Sequence, residues 1–347
     1  MHKTSNKKIK IAIFSQPEYF RFHYETDLNS FANVFEFKAQ EGLSLEDMRP
    51  LIKFKADYNF FFRGEFLPDG LLESLNGISI NLSTEPFPRL LYGKIDYTID
   101  SINRYLFFRK IRFKPFDYVF HYDKHTIPIL KWDRLFVSGS IVLPIATDTF
   151  KKINCRKERE IFFIGRSTAH REIYFGYLKH KYNFLHIAHG IWGKELITYI
   201  CSSKICLNIH AENEASWEPR LQMLLACGAF VISEKIIPNH YLRPGIDFIQ
   251  VNSPLELNEK IQYYLKHEKE RLLIADSGRR RVNKILNSKN NFYQLILDIE
   301  NNKYPKYKAG KGRFFVDLIL KVINLVKFSK ELIFLFWSRF YELCFKR

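Results

Sequence analysis

Short β-prone runs and helix-like segments alternate in two successive series along the chain, and few architectures accept that order. The first series is KIAIFS (10–15), VFEFKA (34–39), YNFFFR (58–63), ISINL (78–82), DYVFHY (117–122) and LFVSG (135–139), with helices expected over 44–55 and 69–75. The stretch 144–157 then turns polar and basic, as a linker would. A second series follows: EIFFI (160–164), YNFLHIA (182–188), ICLNI (205–209), FVIS (230–233) and DFIQV (247–251), with helices over 194–202, 219–227, 254–266 and 276–286. The expectation is an α/β chain of two doubly wound domains, 1–150 and 158–300, facing a cleft of the kind that binds small molecules.

The stretch KICLNIHAENEASWEPRLQMLLACGAFVIS, residues 204–233, concentrates the chemistry. Pro219 suits the first turn of a helix because it has no N–H to leave unsatisfied, and Gly228 suits the left-handed position just past the end. The loop 211–218 therefore joins the carboxyl end of a strand to the amino end of a helix, where open α/β sheets bind ligands and phosphate is favoured. A solvated acidic connection between two strands has the same spacing. Asn208 and His210 close the strand before the loop, and a lone His there is equally suited to capping it by a backbone hydrogen bond.

With 347 residues, 46% of them hydrophobic, the chain can build two cores. The net charge of +17 implies an anionic partner without choosing among nucleotide, nucleic acid and lipid. Five cysteines, odd in number and without metal spacing, read as reduced and mostly buried thiols. The opening MHKTSNKKIKIAIFSQ reads as a first strand and not as a signal peptide, and no apolar run is long enough for a membrane span. Neither GxGxxG nor GxxxxGK[ST] is present, which disfavours a dinucleotide enzyme or a P-loop NTPase.

The order IFFIGRSTAHRE, SSKICLNIH, EPRLQMLLACGAFVISE, YLRPGIDFIQVNSPLELNEKIQYYL resembles the donor-binding domain of group 1 glycosyltransferases, especially the spore-maturation-protein (CgeB-like) branch, over about 158–290. Arg220, Ala226-Cys227-Gly228, Ser233 and Pro244-Gly245 match the family's positions. The resemblance implies a GT-B fold, two Rossmann-like domains with the nucleotide sugar held by the second. It also implies that no divalent metal or other cofactor is required, since basic side chains and a helix amino end can neutralise a leaving diphosphate. Arg220 is then the expected partner of the diphosphate, with Arg166 beside Gly165 as a second candidate. One departure is plain: the Glu that many retaining members carry five positions before the Gly is Met223 here, and its companion position is Ala215, beside Glu214. Glu212, Glu214 and Glu218 would repel a diphosphate, so sugar hydroxyls or a salt bridge to Arg220 suit them better.

Transfer with inversion needs a general base, a carboxylate or His. Glu85 in INLSTEPFPR is the first choice, because Pro86 and Pro88 stiffen its loop; Glu65 in FFFRGEFLP and the group Glu18, His23 and Asp27 are the others. After residue 300 the chain carries eleven basic residues against three acidic ones, with Phe315, Leu318, Ile319, Val322, Val326, Ile333, Phe336 and Phe340 at helical steps. This tail, 301–347, suits an amphipathic helix in an anionic membrane interface through residues 313–347, or one that packs back across the first domain.

These observations point to a transferase acting on the cytoplasmic face of a membrane, moving a sugar from a nucleotide-sugar donor to a surface glycan or lipid-linked acceptor. The competing readings are a fucosyltransferase-like inverting enzyme using a GDP-sugar, to which SEK (233–235) and TEPFP (84–88) are similar, a non-catalytic relative, and a nucleic-acid-binding protein, for which no recognised module is visible.

Overall fold

The computed structural model of the chain describes residues 8–40, 42–213, 215–314, 317–318, 321–322 and 325–326. It contains two compact units. By their described residues, one comprises Lys10–Gln16, Phe35–Ile141 and the chain from Tyr304 on, the other Lys8 and Ile9, Pro17–Val34 and Val142–Lys303. Residues 17–34 and 142–150, assigned from sequence to the first domain, therefore cluster with the second.

The first unit is built on β1 (Ile9–Ser15), β2 (Ala32–Lys38), β3 (Tyr58–Phe61) and β4 (Ile78–Ser83), the short hairpin β5 (Arg89–Leu91) and β6 (Lys94–Asp96), then β7 (Tyr118–His121), β8 (Leu135–Phe136) and β9 (Gly139–Ser140). Its main sheet runs β2-β1-β3-β4-β7-β9, and β1/β3, β3/β4, β4/β7 and β7/β9 pair in parallel. Parallel strands are covered on both faces, which is why YNFF and YVFH are buried throughout. The 17–34 segment carries the single turn α1 (Pro17–Phe20); the first unit's own helices are α2 (Arg49–Phe54), α3 (Leu71–Ser74), α4 (Ile99–Phe108) and α5 (Ile127–Trp132). Helix α4 was not foreseen; a capping box between Thr98 and Ser101 starts it.

The second unit holds β10 (Arg159–Ile164), β11 (Phe184–Ile187), β12 (Ser203–Asn208), β13 (Val231–Glu234) and β14 (Ile249–Val251), in the order β11-β10-β12-β13-β14 and parallel throughout. Between and after them lie α6 (Ala169–Lys181), α7 (Gly193–Cys201), α8 (Pro219–Ala226), α9 (Pro254–Lys266), α10 (Glu268–Ile285) and α11 (Ser288–Glu300). The two-residue period of the strands sends Phe162, Cys206 and Val231 to one core and Ile161, Phe163, Ile205, Leu207 and Ile232 to the other. The supposed linker belongs to the first of these cores: Ile145, Ala146 and Phe150 are buried in it, and its polar residues alternate around them. Asp27 fastens 17–34 there by accepting the N–H groups of Thr147 (3.0 Å) and Asp148 (3.1 Å).

Cys201, Cys206 and Cys227 are buried free thiols and Cys155 is a half-buried one. Among the described residues no helix is long and apolar enough to cross a membrane. The strand β15 (Lys308–Ala309) pairs antiparallel with β8, so the start of the expected tail is part of the first unit. Residues 327–347, with Ile333, Phe336 and Phe340, lie outside the described residues.

Candidate functional site

In the order β11-β10-β12-β13-β14 the chain leaves β10 for one edge and enters β12 from the other direction, so the switch point lies between β10 and β12. The carboxyl ends of β10, β12 and β13 are adjacent there, and the sequence candidates Gly165, Arg166, Asn208, His210, Glu218, Arg220 and Ser233 converge on them. Glu214 lies outside the described residues.

Arg220, in the first turn of α8, is the hub. Its Nε donates to Asn208 Oδ1 (3.0 Å), its Nη1 to the Ile164 carbonyl (2.9 Å), and its Nη2 to the Ile209 carbonyl (2.9 Å) and to Glu218. Four of the five N–H groups of a guanidinium are thus engaged within the protein. Asn208 Nδ2 donates in turn to Ser233 Oγ (2.8 Å), which donates to the Glu234 carbonyl (2.7 Å), so both residues are consumed in fixing neighbouring strand ends.

A second buried guanidinium, Arg171, had no signal in the sequence. It donates to the carbonyls of Ile209 (3.0 Å) and Arg166 (2.8 Å) and to Glu218 Oε1 (3.4 Å). Both guanidinium groups lie over the Phe163 ring, at 5.0 Å for Arg171 and 4.6 Å for Arg220. Burial and the neighbouring Arg220 bring the Arg171 pKa down to about 10, which leaves it charged at neutral pH. Burial acts to raise the Glu218 carboxyl, but Arg220, His210 and Arg171 outweigh it and hold it at about 2. Glu234 acts on both arginines as well, so the excess of positive charge at these strand ends comes only with exposed Arg166: three arginines against Glu218 and Glu234.

Gly165 makes the close approach possible. Its φ of 144° is one that glycine favours, and a Cβ would stand 2.8 Å from Arg220 Nη1 and 3.2 Å from Arg171 Nη1. The next residues, Arg166 to Thr168, lead into α6, whose first turn is capped by Thr168 accepting the Arg171 N–H. The Arg166 side chain is exposed beside this helix amino end.

His210 donates through Nε2 to the Lys235 carbonyl (2.8 Å), while its Nδ1 faces Ser216 Oγ at 3.1 Å and Glu218 at 3.4 Å. Its backbone N–H donates to Glu234 Oε2 (2.7 Å), and Glu234 Oε1 meets His170 Nε2 at 2.9 Å. Glu234 and His170 were not named from sequence either; the SEK triplet held the first in view without a role for it. Glu212 is exposed, and Met223 belongs to the core.

His23 reaches this region through Trp217, the residue before Glu218. Its ring stacks on the indole (6.0 Å, 16°), and His240 meets the same indole edge-on (5.0 Å). His23 Nδ1 donates to the Pro144 carbonyl (2.6 Å), and burial takes its pKa down to about 4, so the ring is neutral at pH 7 with the lone pair on Nε2. The other two base candidates lie together in the first unit. Arg63 Nε donates to Glu65 (2.6 Å) and its Nη1 stands 3.8 Å from Glu85, which also pairs with Arg104. Burial pushes the Glu65 carboxyl up against the pull of Arg63. Among the described residues no three of His, Cys, Asp and Glu are grouped to hold a metal ion.

Residues 156–296 match a family model described as glycosyl transferase-like. No curated protein matches. Among solved structures, the chain is similar to sucrose-phosphate synthase from Thermosynechococcus elongatus (12% identity, 85% of this chain and 100% of that one, TM-score 0.56). It is also similar to HepE of Anabaena, solved with UDP (9%, 84% and 100%, 0.53), and to an alpha-glucosyltransferase solved with UDP-glucose and DNA containing an abasic site (10%, 84% and 100%, 0.57). At these identities the likeness establishes the fold, which is GT-B.

Proposed function

We propose that the protein is a glycosyltransferase that takes a sugar from a nucleotide-sugar donor and passes it to a surface glycan or lipid-linked acceptor. The observation that carries this reading is the largely buried Arg171–Glu218–Arg220 cluster at the switch point, under a glycine loop that opens a thirteen-residue helix. Exposed Arg166 and the amino end of α6 suit a diphosphate as the direct contacts, with Arg171 and Arg220, their charge offset by Glu218 and Glu234, as the scaffold beneath. Similar structures that hold UDP or UDP-glucose support a nucleotide-sugar donor. The spore-maturation branch is our reading within the group, from Arg220, Cys227 and Pro244-Gly245.

In the reaction the acceptor oxygen bonds to the anomeric carbon as the bond from that carbon to the diphosphate breaks, and the acceptor proton passes to a base. Glu85, Glu65 and His23 are the candidates, and general-base assistance contributes about 10²- to 10⁴-fold. No divalent ion is assigned a part, so turnover in EDTA should match turnover with added Mn²⁺. The protein would work at the inner face of the cell membrane, with its basic tail on anionic lipid.

A melting-temperature panel with UDP, GDP and their sugars tests the donor reading, because a ligand that binds only the folded state raises the transition. A rise with one nucleotide that is lost in Arg166→Ala is the expected result; no rise with any of them would remove the proposal. Burial of Met223 where many relatives carry a ribose-binding Glu favours a second reading, a non-catalytic nucleotide-sugar binder. That reading predicts the same rise without turnover.

A further inference from the structure

Away from the switch point, α10 and the loop before β14 build a second basic site. Gly278 lets the helix sit directly on that loop, since a Cβ there would stand 2.3 Å from the Asp247 carbonyl oxygen. Asp247, fully buried, accepts the Arg243 backbone N–H (2.9 Å), Arg243 Nε (3.0 Å) and Nη2 (2.8 Å), and Ser277 Oγ–H (2.9 Å). This fixes the Arg243 guanidinium against the helix face that carries Arg280, Arg281 and Lys284. Arg281 Nε donates to the Tyr241 carbonyl (3.0 Å), and Arg280 pairs with Asp276 at 3.0 Å while its side chain stays 71% exposed. Arg243, Ser277, Arg280, Arg281 and Lys284 together line a concavity of about 350 Å³ with no acid in its wall.

Exposed apolar side chains neighbour these cations along the chain. Leu273 stands four residues before Ser277 on the same face of α10 and is 69% exposed. Tyr241 and Ile246, on either side of Arg243, are 66% and 50% exposed. Cations in a concavity with aromatic and aliphatic side chains at its edge match the layering of a bilayer surface, phosphate outside and hydrocarbon just below. A free phosphate would explain the cations and leave the rim without a function.

We propose that this surface seats the second unit on the phosphates of anionic lipid headgroups, with Leu273, Tyr241 and Ile246 entering the interface. It stands independently of glycosyl transfer and of the C-terminal tail.

The test uses the full chain, so that the tail contributes equally to every protein compared. Partitioning is measured on vesicles of phosphatidylcholine alone and of an equimolar phosphatidylcholine–phosphatidylglycerol mixture. The variant R280Q/R281Q/K284Q removes charge with residues that keep the helix, and its melting temperature reports the fold. The expected result is a fall of about tenfold to a hundredfold in partitioning to the anionic vesicles alone. A second variant, L273S/Y241S, should weaken the same binding while keeping its salt dependence. Wild-type partitioning by the triple variant overturns the proposal. In that case a melting-temperature rise with inorganic phosphate that the triple variant lacks would assign the concavity to a soluble phosphate instead.

Discussion

The two arginines that the sequence nominates differ in what their side chains have left to give. Arg166 is exposed at the amino end of α6, whereas Arg220 spends four N–H groups on Asn208, Ile164, Ile209 and Glu218. Arg166→Ala should therefore weaken nucleotide-sugar binding by about 1.5–3 kcal/mol, the worth of a charge-assisted contact, with an unchanged melting temperature. Arg220→Ala should lower the stability itself by about 1–3 kcal/mol, because it leaves the largely buried Glu218 carboxylate with only Arg171 and His210. Calorimetric titration beside thermal melts separates the two, and an Arg220→Ala protein that melts like wild type would dismiss the scaffold role. The position of Arg220 was legible because a proline before it and a glycine after its helix mark the helix ends. Its engagement was not, because two of its acceptors are backbone carbonyls from other segments, and Arg171 escaped notice since a buried arginine leaves no mark in periodicity. Buried histidines add a pH signature to the same unit. Burial takes His23 to about 4 and His240 to about 3, with His23 adding to the second, so the unfolded chain binds their protons first. Their stabilisation is complete above the unfolded value of about 6.5 and is lost as pH falls through the folded values, about 3 kcal/mol for His23 alone. Asp27, raised to about 6 chiefly by burial, gives a smaller opposing change over the same window. The melting temperature should fall from pH 7 to pH 4, and His240→Phe, which preserves an aromatic edge against Trp217, should flatten that slope; an unaltered slope would exclude His240 as a contributor.

Elements were legible in proportion to how much of their pattern is local. The strands of both sheets follow their apolar runs, and Ser253 before Pro254 announces α9 by the cap it supplies. LFVSG misled, because β8 pairs with β15, near the other end of the chain, and only β9 joins the main sheet. Helix α6 went unread because AHREIYFGYLKHK mixes charge, aromatics and a glycine with no clean apolar face. Helix α10 begins eight residues before the expected 276 for a similar reason: Arg271 is buried on it, donating to the Tyr264 carbonyl (2.7 Å), while Leu272 and Leu273 are exposed. The connection from β10 to α6 is the element on which the site depends, and Gly165 is its tightest point. Gly165→Ala must either abandon the φ of 144° or push Arg220 and Arg171 off the strand ends. The expected outcome is a lower melting temperature together with loss of the nucleotide-dependent rise. Faster amide exchange confined to the first turn of α6 would accompany it, and exchange equal to wild type there would show that the loop tolerates the methyl group.

For the whole molecule, alternation of strand and helix conveyed two α/β units, but not that 17–34 and 142–150 pack with the second. That packing rests on contacts such as Asp27 with Thr147 and Ser288 Oγ with the His23 carbonyl (2.6 Å), between residues more than a hundred positions apart, which no window along the sequence spans. The tail shows the same limit, and its two readings divide along its length. Tyr307 is buried in the first unit, Arg313 donates to the Trp132 carbonyl (2.8 Å) and to Asp133 through its backbone (3.2 Å), and Asp317 pairs with Arg109. Tyr307, Arg313 and Asp317 therefore help hold that unit, and deletion from residue 312 would confuse lost stability with lost lipid contact. Deletion of 327–347 spares those contacts and removes five basic residues against two acidic ones, together with most of the aromatic content of the tail. With about 1 kcal/mol for each net cation at an anionic surface, this shorter deletion should cut partitioning to phosphatidylglycerol-containing vesicles by about a hundredfold, counting charge alone. Donor binding and the melting temperature should stay as they were, and the loss should shrink as salt is raised. Equal partitioning of the intact and shortened proteins at low salt would end the case for the tail as an anchor and leave the basic face of α10 to account for any anionic preference that persists.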